Sequence, residues 1–280
     1  MELHDVSYEL DGRVAVVTLR RARYRNAQSW RLLDELNLAL KHAVDDPEAK
    51  VVVVRGDGDH FSTGHDLGTP EQLADAAERS ISENGLDYYD NFRKYNLDLT
   101  LAWRNLAKPT IAMVHGYCIY GGWMIAAAMD VVFAADDAQF LAGQVEYFSI
   151  PWDIGWRKSK ELLFESRFIS AAEAERYGLV NRVLPRADLD RETMAYAHRV
   201  SENSSLALRM AKTAVNRMQD TAGFSAAMES AFHDYLVMAK LRGVGRVEGM
   251  RRLGGVDLAV RGQRGERAGQ GSSVSDPEGR

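Results

Sequence analysis

Three short and almost uniformly apolar runs constrain this chain more than any other feature: VVVVR at 51–55, TIAMV at 110–114 and VVFAA at 131–135. A strand that is apolar at every position leaves no face for water, so both of its faces must be covered. Each run is separated from the next by a helical pattern, which predicts an α/β core of βα units. The N-terminal stretch VSYELDGRVAVVTLR alternates instead, and its Asp11-Gly12 pair predicts two short strands around a tight turn. In SWRLLDELNLALKHAVDD the residues Leu32, Leu36, Leu40 and Val44 recur every fourth position, predicting a helix from about Ser29 that ends at Asp45-Asp46-Pro47. Tyr88, Phe92, Tyr95, Leu99, Trp103 and Leu106 fall at spacings of three and four, predicting one long amphipathic helix that ends before Lys108-Pro109 and turns an aromatic stripe to the core.

From about Ala187 the strands stop and helical patterns take over. The expected organisation is therefore an α/β core over 1–186, a helical oligomerisation region over 187–260 and a disordered tail over 261–280. That tail is rich in Gly, Ser and charge and has almost nothing apolar to bury. A formal net charge of −5, with 27% charged residues, lacks the basic excess that nucleic acid or an anionic membrane would require. The N-terminus has no basic stretch leading into an apolar one, and no segment reaches the ~18 apolar residues of a membrane span. A cytoplasmic protein with neither kind of partner is expected. The single cysteine, Cys118, excludes a disulfide framework, and the seven histidines show no paired ligand spacing, so no metal is expected.

Two segments carry the candidate chemistry, because each ends an apolar run in a glycine-containing turn: VVVVRGDGDHFSTGHDL and TIAMVHGYCIYGGWM. A glycine ahead of a helix allows a sharp turn and leaves N–H groups free at the positive end of the helix dipole. Two such groups converging on one point would make an oxyanion hole, although ordinary strand-to-helix turns would look the same on glycine content alone.

FSTGHDL and HGYCIYGGWM, preceded by RRARYRNA and followed by DDAQF and SAAEAERYGLVNRVLP, together resemble the crotonase superfamily, the enoyl-CoA hydratase/isomerase family. The likeness runs from about Val14 to Pro185. It implies a spiral of ββα units, a C-terminal helical trimerisation region in a homotrimer or hexamer, and an acyl-CoA thioester as substrate. Coenzyme A would enter only as part of that substrate, with no separate cofactor. Carried over by position, the resemblance makes the N–H groups of His65 and Gly121 the oxyanion donors. It places Arg23 on the CoA phosphates, a task that suits a guanidinium. Ala27, Ser62, Gly64, Leu67, Tyr88 and Met124 fall at its substrate-binding positions.

Met124 departs from the family pattern. The hydratases carry a glutamate there, three residues after the second oxyanion glycine, and a thioether can neither give nor take a proton at a useful pKa. The second hydratase glutamate is missing as well: an ungapped reading puts Gln144 in its place, and anchoring on GWRKSKELLF makes the stretch that would hold it a deletion.

Glu146, Tyr147 and Asp153 are the substitutes available in VEYFSIPWDIG. Asp153 reads equally as the cap of a helix beginning near Ile154, whereas Glu146 stands among apolar neighbours that suit a proton-transfer group. The His65 imidazole could face the acyl group or only bond nearby backbone, and Cys118 reads as a buried structural thiol. What is implied is an enzyme holding a thioester enolate and performing isomerisation, C–C cleavage or hydrolysis on a bulky acyl-CoA. A hydratase with its acid–base group relocated to Glu146, and a non-catalytic acyl-CoA-binding scaffold, remain open.

Overall fold

The computed structural model describes residues 2–79 and 85–241, together with Val260. The expected tail over 261–280, and 242–259 of the expected helical region, lie outside the described residues. β1 (Val6–Asp11) and β2 (Val14–Leu19) pair antiparallel around Gly12, whose φ is 58°. The chain then enters α1 (Trp30–Asp45), where the Ser29 hydroxyl caps the helix by accepting the Leu32 N–H at 3.1 Å. β3 (Val51–Gly56) follows, and α2 (Pro70–Glu78) starts at Thr69, whose side chain accepts the Gln72 N–H.

The long helix expected over the aromatic stripe is interrupted. α3 (Gly85–Arg93) passes into one π-helical turn over Lys94–Asp98 before α4 (Leu99–Arg104). The wider turn frees backbone groups from the regular ladder, and the Asn96 amide donates to the Phe92 carbonyl at 2.8 Å. The change of register splits the stripe. Tyr95, Leu99 and Trp103 join the main core, while Tyr89, Phe92, Leu97 and Leu101 face a separate apolar cluster near the site.

β4 (Thr110–Val114), β5 (Tyr117–Ile119) and α5 (Gly121–Ala128) form one ββα unit; β6 (Val131–Ala135), β7 (Gln139–Leu141), α6 (Ile150–Ile154) and α7 (Trp156–Glu165) form the next. β8 (Phe168–Ser170), α8 (Ala171–Tyr177) and β9 (Arg182–Leu184) complete the winding, and α9 (Leu189–Ser201), α10 (Ser205–Thr221) and α11 (Phe224–Leu241) follow. The strands make a six-stranded sheet ordered β1-β2-β3-β4-β6-β9 and a three-stranded sheet ordered β5-β7-β8. From β2 onward the larger sheet is parallel throughout.

VVVVR is apolar at every valine because successive side chains reach opposite faces. Val52 and Val54 join the cluster built on α1, whereas Val51 and Val53 join Leu189 and Ala197 of α9. α9 thus lids the second face of the sheet and belongs with the core, so the helices that stand apart from the sheet begin only after Ser201. α11 packs Phe224, Met228 and Phe232 against Met124, Val145 and Tyr147 of its own chain. Among the described residues no helix is long and apolar enough to cross a membrane, and no group of His, Cys, Asp and Glu is placed to hold a metal ion.

Candidate active site

The FSTG stretch runs beside β5, joined to it by one isolated parallel bridge at Ser62 and Cys118. Ser62 N–H donates to the Tyr117 carbonyl and Ile119 N–H to the Ser62 carbonyl, both at 3.0 Å. On its other side, Gln28 N–H donates to the Gly64 carbonyl at 2.8 Å and Asp66 N–H to the Gln28 carbonyl at 3.0 Å. These two bonds make a parallel bridge centred on His65. The N–H of the central residue in such a bridge points away from the partner strand.

Glycine is required where the two segments meet. Gly64 has φ 88°, and a methyl group on its Cα would stand 2.8 Å from the Ile119 carbonyl oxygen and 3.1 Å from the Gly121 nitrogen. Tyr120, immediately before Gly121, holds φ 47° and ψ −103°, a conformation costly for a residue with a side chain. Its N–H donates to the Leu141 carbonyl and its carbonyl accepts the Met124 N–H, each at 3.1 Å. The Met124 bond is the first of the helical ladder, so the N–H groups of Gly121, Gly122 and Trp123 lie ahead of it at the positive end of α5. The segment carrying His65 and the first turn of α5 thus pack against each other at Gly64 and Gly121.

Glu146 is 1% exposed, and its Oε2 lies 3.4 Å from His65 Nε2. Burial alone would lower the His65 pKa, but the charge of Glu146 and the hydrogen bond to it outweigh that effect and hold it above the usual value. A quarter of the His65 side chain remains open to solvent, so the pair is reachable. Gln144, which an ungapped reading puts at the lost glutamate, is exposed, whereas Glu146 two residues on is buried. Met124 is 3% exposed and forms an apolar wall with Val145 and Tyr147, as a thioether should.

Tyr147, though packed with Met124, also opens with Asp153 onto a separate space. Both line a cavity of about 590 Å³ between the end of α5 and α10, together with Trp152, Lys212 and Phe224. Asp153 does not cap a helix: Gly155 occupies the N-cap of α7, and the Asp153 carboxylate accepts the Ser149 hydroxyl at 2.7 Å and the Trp123 indole N–H at 3.3 Å. Burial pushes its pKa up to about 7, against the opposing pull of those two bonds. Burial also raises the Tyr147 and Cys118 pKa values, which leaves both groups protonated.

The Asp153 shift fixes the sign of a stability effect. Its folded-state pKa of about 7 lies above the ordinary 3.8, so between those values the folded protein holds a proton that the unfolded chain releases, and stability falls as pH rises through that window. Asp153→Asn should therefore raise the thermal midpoint more at pH 8 than at pH 5. Calorimetry showing equal shifts at the two pH values would contradict this.

Arg23 is largely exposed and ion-paired with Glu71. Ala27 is half-buried, and its carbonyl accepts Arg21 Nη1 at 2.5 Å. The Ser62 hydroxyl donates to the Asn26 carbonyl at 2.9 Å and accepts the Gly64 N–H at 3.2 Å. Leu67 stands 98% exposed. Tyr88 stacks on Phe92 with ring centroids 5.5 Å apart, Tyr89 meets His233 of α11, and Arg93 is paired with Glu229.

Two residues that the sequence did not single out complete the frame. Arg21, 1% exposed, also donates to Asp66 Oδ2 at 3.0 Å, and so ties the Arg23 loop to the residue after His65. The Gln28 side chain closes against Gly121, where a methyl group would meet Gln28 Oε1 at 2.6 Å.

The enoyl-CoA hydratase/isomerase family model matches residues 9–250. EchA13 of Mycobacterium tuberculosis, named as an enoyl-CoA hydratase, is 37% identical over 259 residues, covering 82% of this chain and 79% of that protein. A crystal structure of a probable enoyl-CoA hydratase from Mycobacterium smegmatis superposes with a TM-score of 0.78 at 38% identity, over 86% of this chain and 97% of the other. One from Mycobacterium thermoresistibile gives a TM-score of 0.74 at 40% identity, over 81% and 92%. This chain belongs to the enoyl-CoA hydratase/isomerase family, and its mixed α/β fold is the crotonase fold.

Proposed function

We propose that the protein binds an acyl-CoA thioester with its carbonyl oxygen between the His65 and Gly121 amides, and that the His65–Glu146 pair moves a proton on the resulting enolate. The contact between Glu146 Oε2 and His65 Nε2, 3.4 Å long, carries this reading. The amide of His65 would hold the oxygen, so its imidazole stands close to the carbon that loses the proton. A double-bond isomerisation needs one group that takes a proton beside the thioester and returns it two carbons along, and this pair can serve as that group. Met124 and Tyr147, with the aromatic residues of α3 and α11, make an apolar wall that favours a bulky acyl group. Arg23 is the phosphate contact, exchanging Glu71 for CoA.

The names of the relatives favour a second reading, in which the same pair performs hydration. A panel of unsaturated, β-keto and malonyl-type CoA thioesters separates these readings. Shift of a double bond without uptake of water supports isomerisation; formation of the 3-hydroxy thioester supports hydration; tight binding with no turnover on any member leaves the acyl-CoA-binding scaffold. α10 leaves Leu206, Met210, Val215 and Met218 more than half exposed, which supports a homotrimer or hexamer. Light scattering at the mass of a single chain would refute that assembly.

A further inference from the structure

Asp153 carries a half-buried carboxyl that the proton transfer does not use, and both of its donors come from segments that carry the site. Trp123, in the first turn of α5, is two residues beyond Gly121 and gives its indole N–H to Asp153 Oδ2 at 3.3 Å. Ser149, three residues beyond Glu146, gives its hydroxyl to the same oxygen at 2.7 Å. The Ser149 N–H reaches back to the Tyr147 carbonyl at 3.1 Å, and its carbonyl accepts the N–H groups of Trp152 and Asp153 at 2.7 and 3.1 Å. The links close a ring. It runs from Gly121 through Trp123 to Asp153, on to Ser149 and back along the chain to Glu146, and across to His65, whose backbone adjoins Gly121 through Gly64.

We propose that Asp153 is a positioning residue: its carboxylate clamps the first turn of α5 to the Glu146 segment and so fixes the Gly121 N–H relative to the His65–Glu146 pair. No other polar contact of the Trp123 side chain is needed for this, since the indole is 2% exposed and otherwise packed edge-on to Phe140 at 5.9 Å. The clamp matters because small misplacements of reacting groups are costly: a shift of about 1 Å can cost on the order of 10² in rate. The inference rests on the proposed acyl-CoA chemistry for its kinetic consequence, though not for its structural one.

Asp153→Asn keeps an oxygen that can accept both donors, whereas Asp153→Ala keeps none, and Trp123→Phe removes one donor while retaining a ring. On the thioester that the wild type turns over best, Asp153→Ala should lower kcat by about 10–100-fold and Trp123→Phe by about 10-fold, with KM within about twofold of wild type. Asp153→Asn should stay within about threefold of wild type.

The backbone amide resonance of Gly121 supplies a readout independent of turnover. It should move in Asp153→Ala and Trp123→Phe and stay near its wild-type position in Asp153→Asn. If the wild type turns over no thioester, the proposed function fails while this resonance still decides the clamp. An Asn variant as damaged as the Ala variant would make the carboxylate a chemical participant, and a Trp123→Phe protein with wild-type kcat and an unmoved Gly121 resonance would remove the clamp; either result overturns the proposal.

Discussion

Gly121→Pro is expected to lower kcat on the preferred acyl-CoA by about 10²–10³-fold, the usual effect of deleting one oxyanion donor, equivalent to about 3–4 kcal/mol of transition-state stabilisation. Proline has no N–H, so the substitution removes the donor at the place where α5 begins. It also brings two structural effects that must be separated from the loss of the donor. A Cβ at position 121 would lie 2.6 Å from Gln28 Oε1, and Tyr120, at ψ −103°, would precede a proline in a conformation that proline disfavours.

Making the change in a Gln28→Ala background clears the first obstacle. Gly121→Ala in the same background then serves as the control, because it adds the same carbon and keeps the N–H. The alanine double variant should retain activity within about tenfold of Gln28→Ala, while the proline double variant loses the full factor, with a thermal midpoint lowered only by the strain left at Tyr120. Proline and alanine variants of equal activity would show that the Gly121 N–H does not touch the oxygen on which charge develops.

The parts of this molecule that were legible in the sequence are those set by neighbours within one turn or one strand. The Asp11-Gly12 hairpin, the helix beginning near Ser29 and the three buried runs each declare themselves over a few residues, and all stand where they were expected. The π turn at Lys94–Asp98 left no trace in the spacing, since Tyr95 within it and Leu99 just after it keep a helical interval. The site divided in the same way. Gly64 and Gly121 could be placed by motif because each terminates a local strand-to-turn pattern.

The His65–Glu146 contact joins residues 81 positions apart, and nothing in the spacing distinguishes Glu146 from Asp153 as its partner. Arg21 shows the limit most clearly: it stands in RRARYR among look-alikes, yet it alone is buried while Arg20, Arg23 and Arg25 are exposed. The three-dimensional pairing of that guanidinium with Asp66 and the Ala27 carbonyl decides the matter. Composition of the run cannot.

Glu146→Gln should lower kcat/KM by about 10²–10⁴-fold, the range of one general acid–base group, while calorimetry finds acyl-CoA affinity nearly unchanged. Affinity should survive because the contacts proposed for CoA, Arg23 and the backbone donors, are not touched by the substitution. The pH dependence carries more information than the loss itself. Glu146 holds the His65 pKa above its ordinary 6.5 through charge and hydrogen bonding, so a reaction that needs His65 free to accept a proton should rise with pH through that raised value in the wild type.

Glutamine keeps a polar contact and loses the charge, so burial then dominates at His65 and the limb should move to lower pH in the variant. The linkage to stability has the matching sign. A histidine raised in the folded state contributes stability that is fully present below about pH 6.5 and is lost as pH rises through the folded value, so this part of the damage in Glu146→Gln should be greater at pH 6 than at pH 8. His65→Ala should fall as far as Glu146→Gln, and the double variant no further, because the two side chains work as one unit. Additive losses, or a pH limb that stays in place when Glu146 loses its charge, would separate the pair and return the proton transfer to some other group.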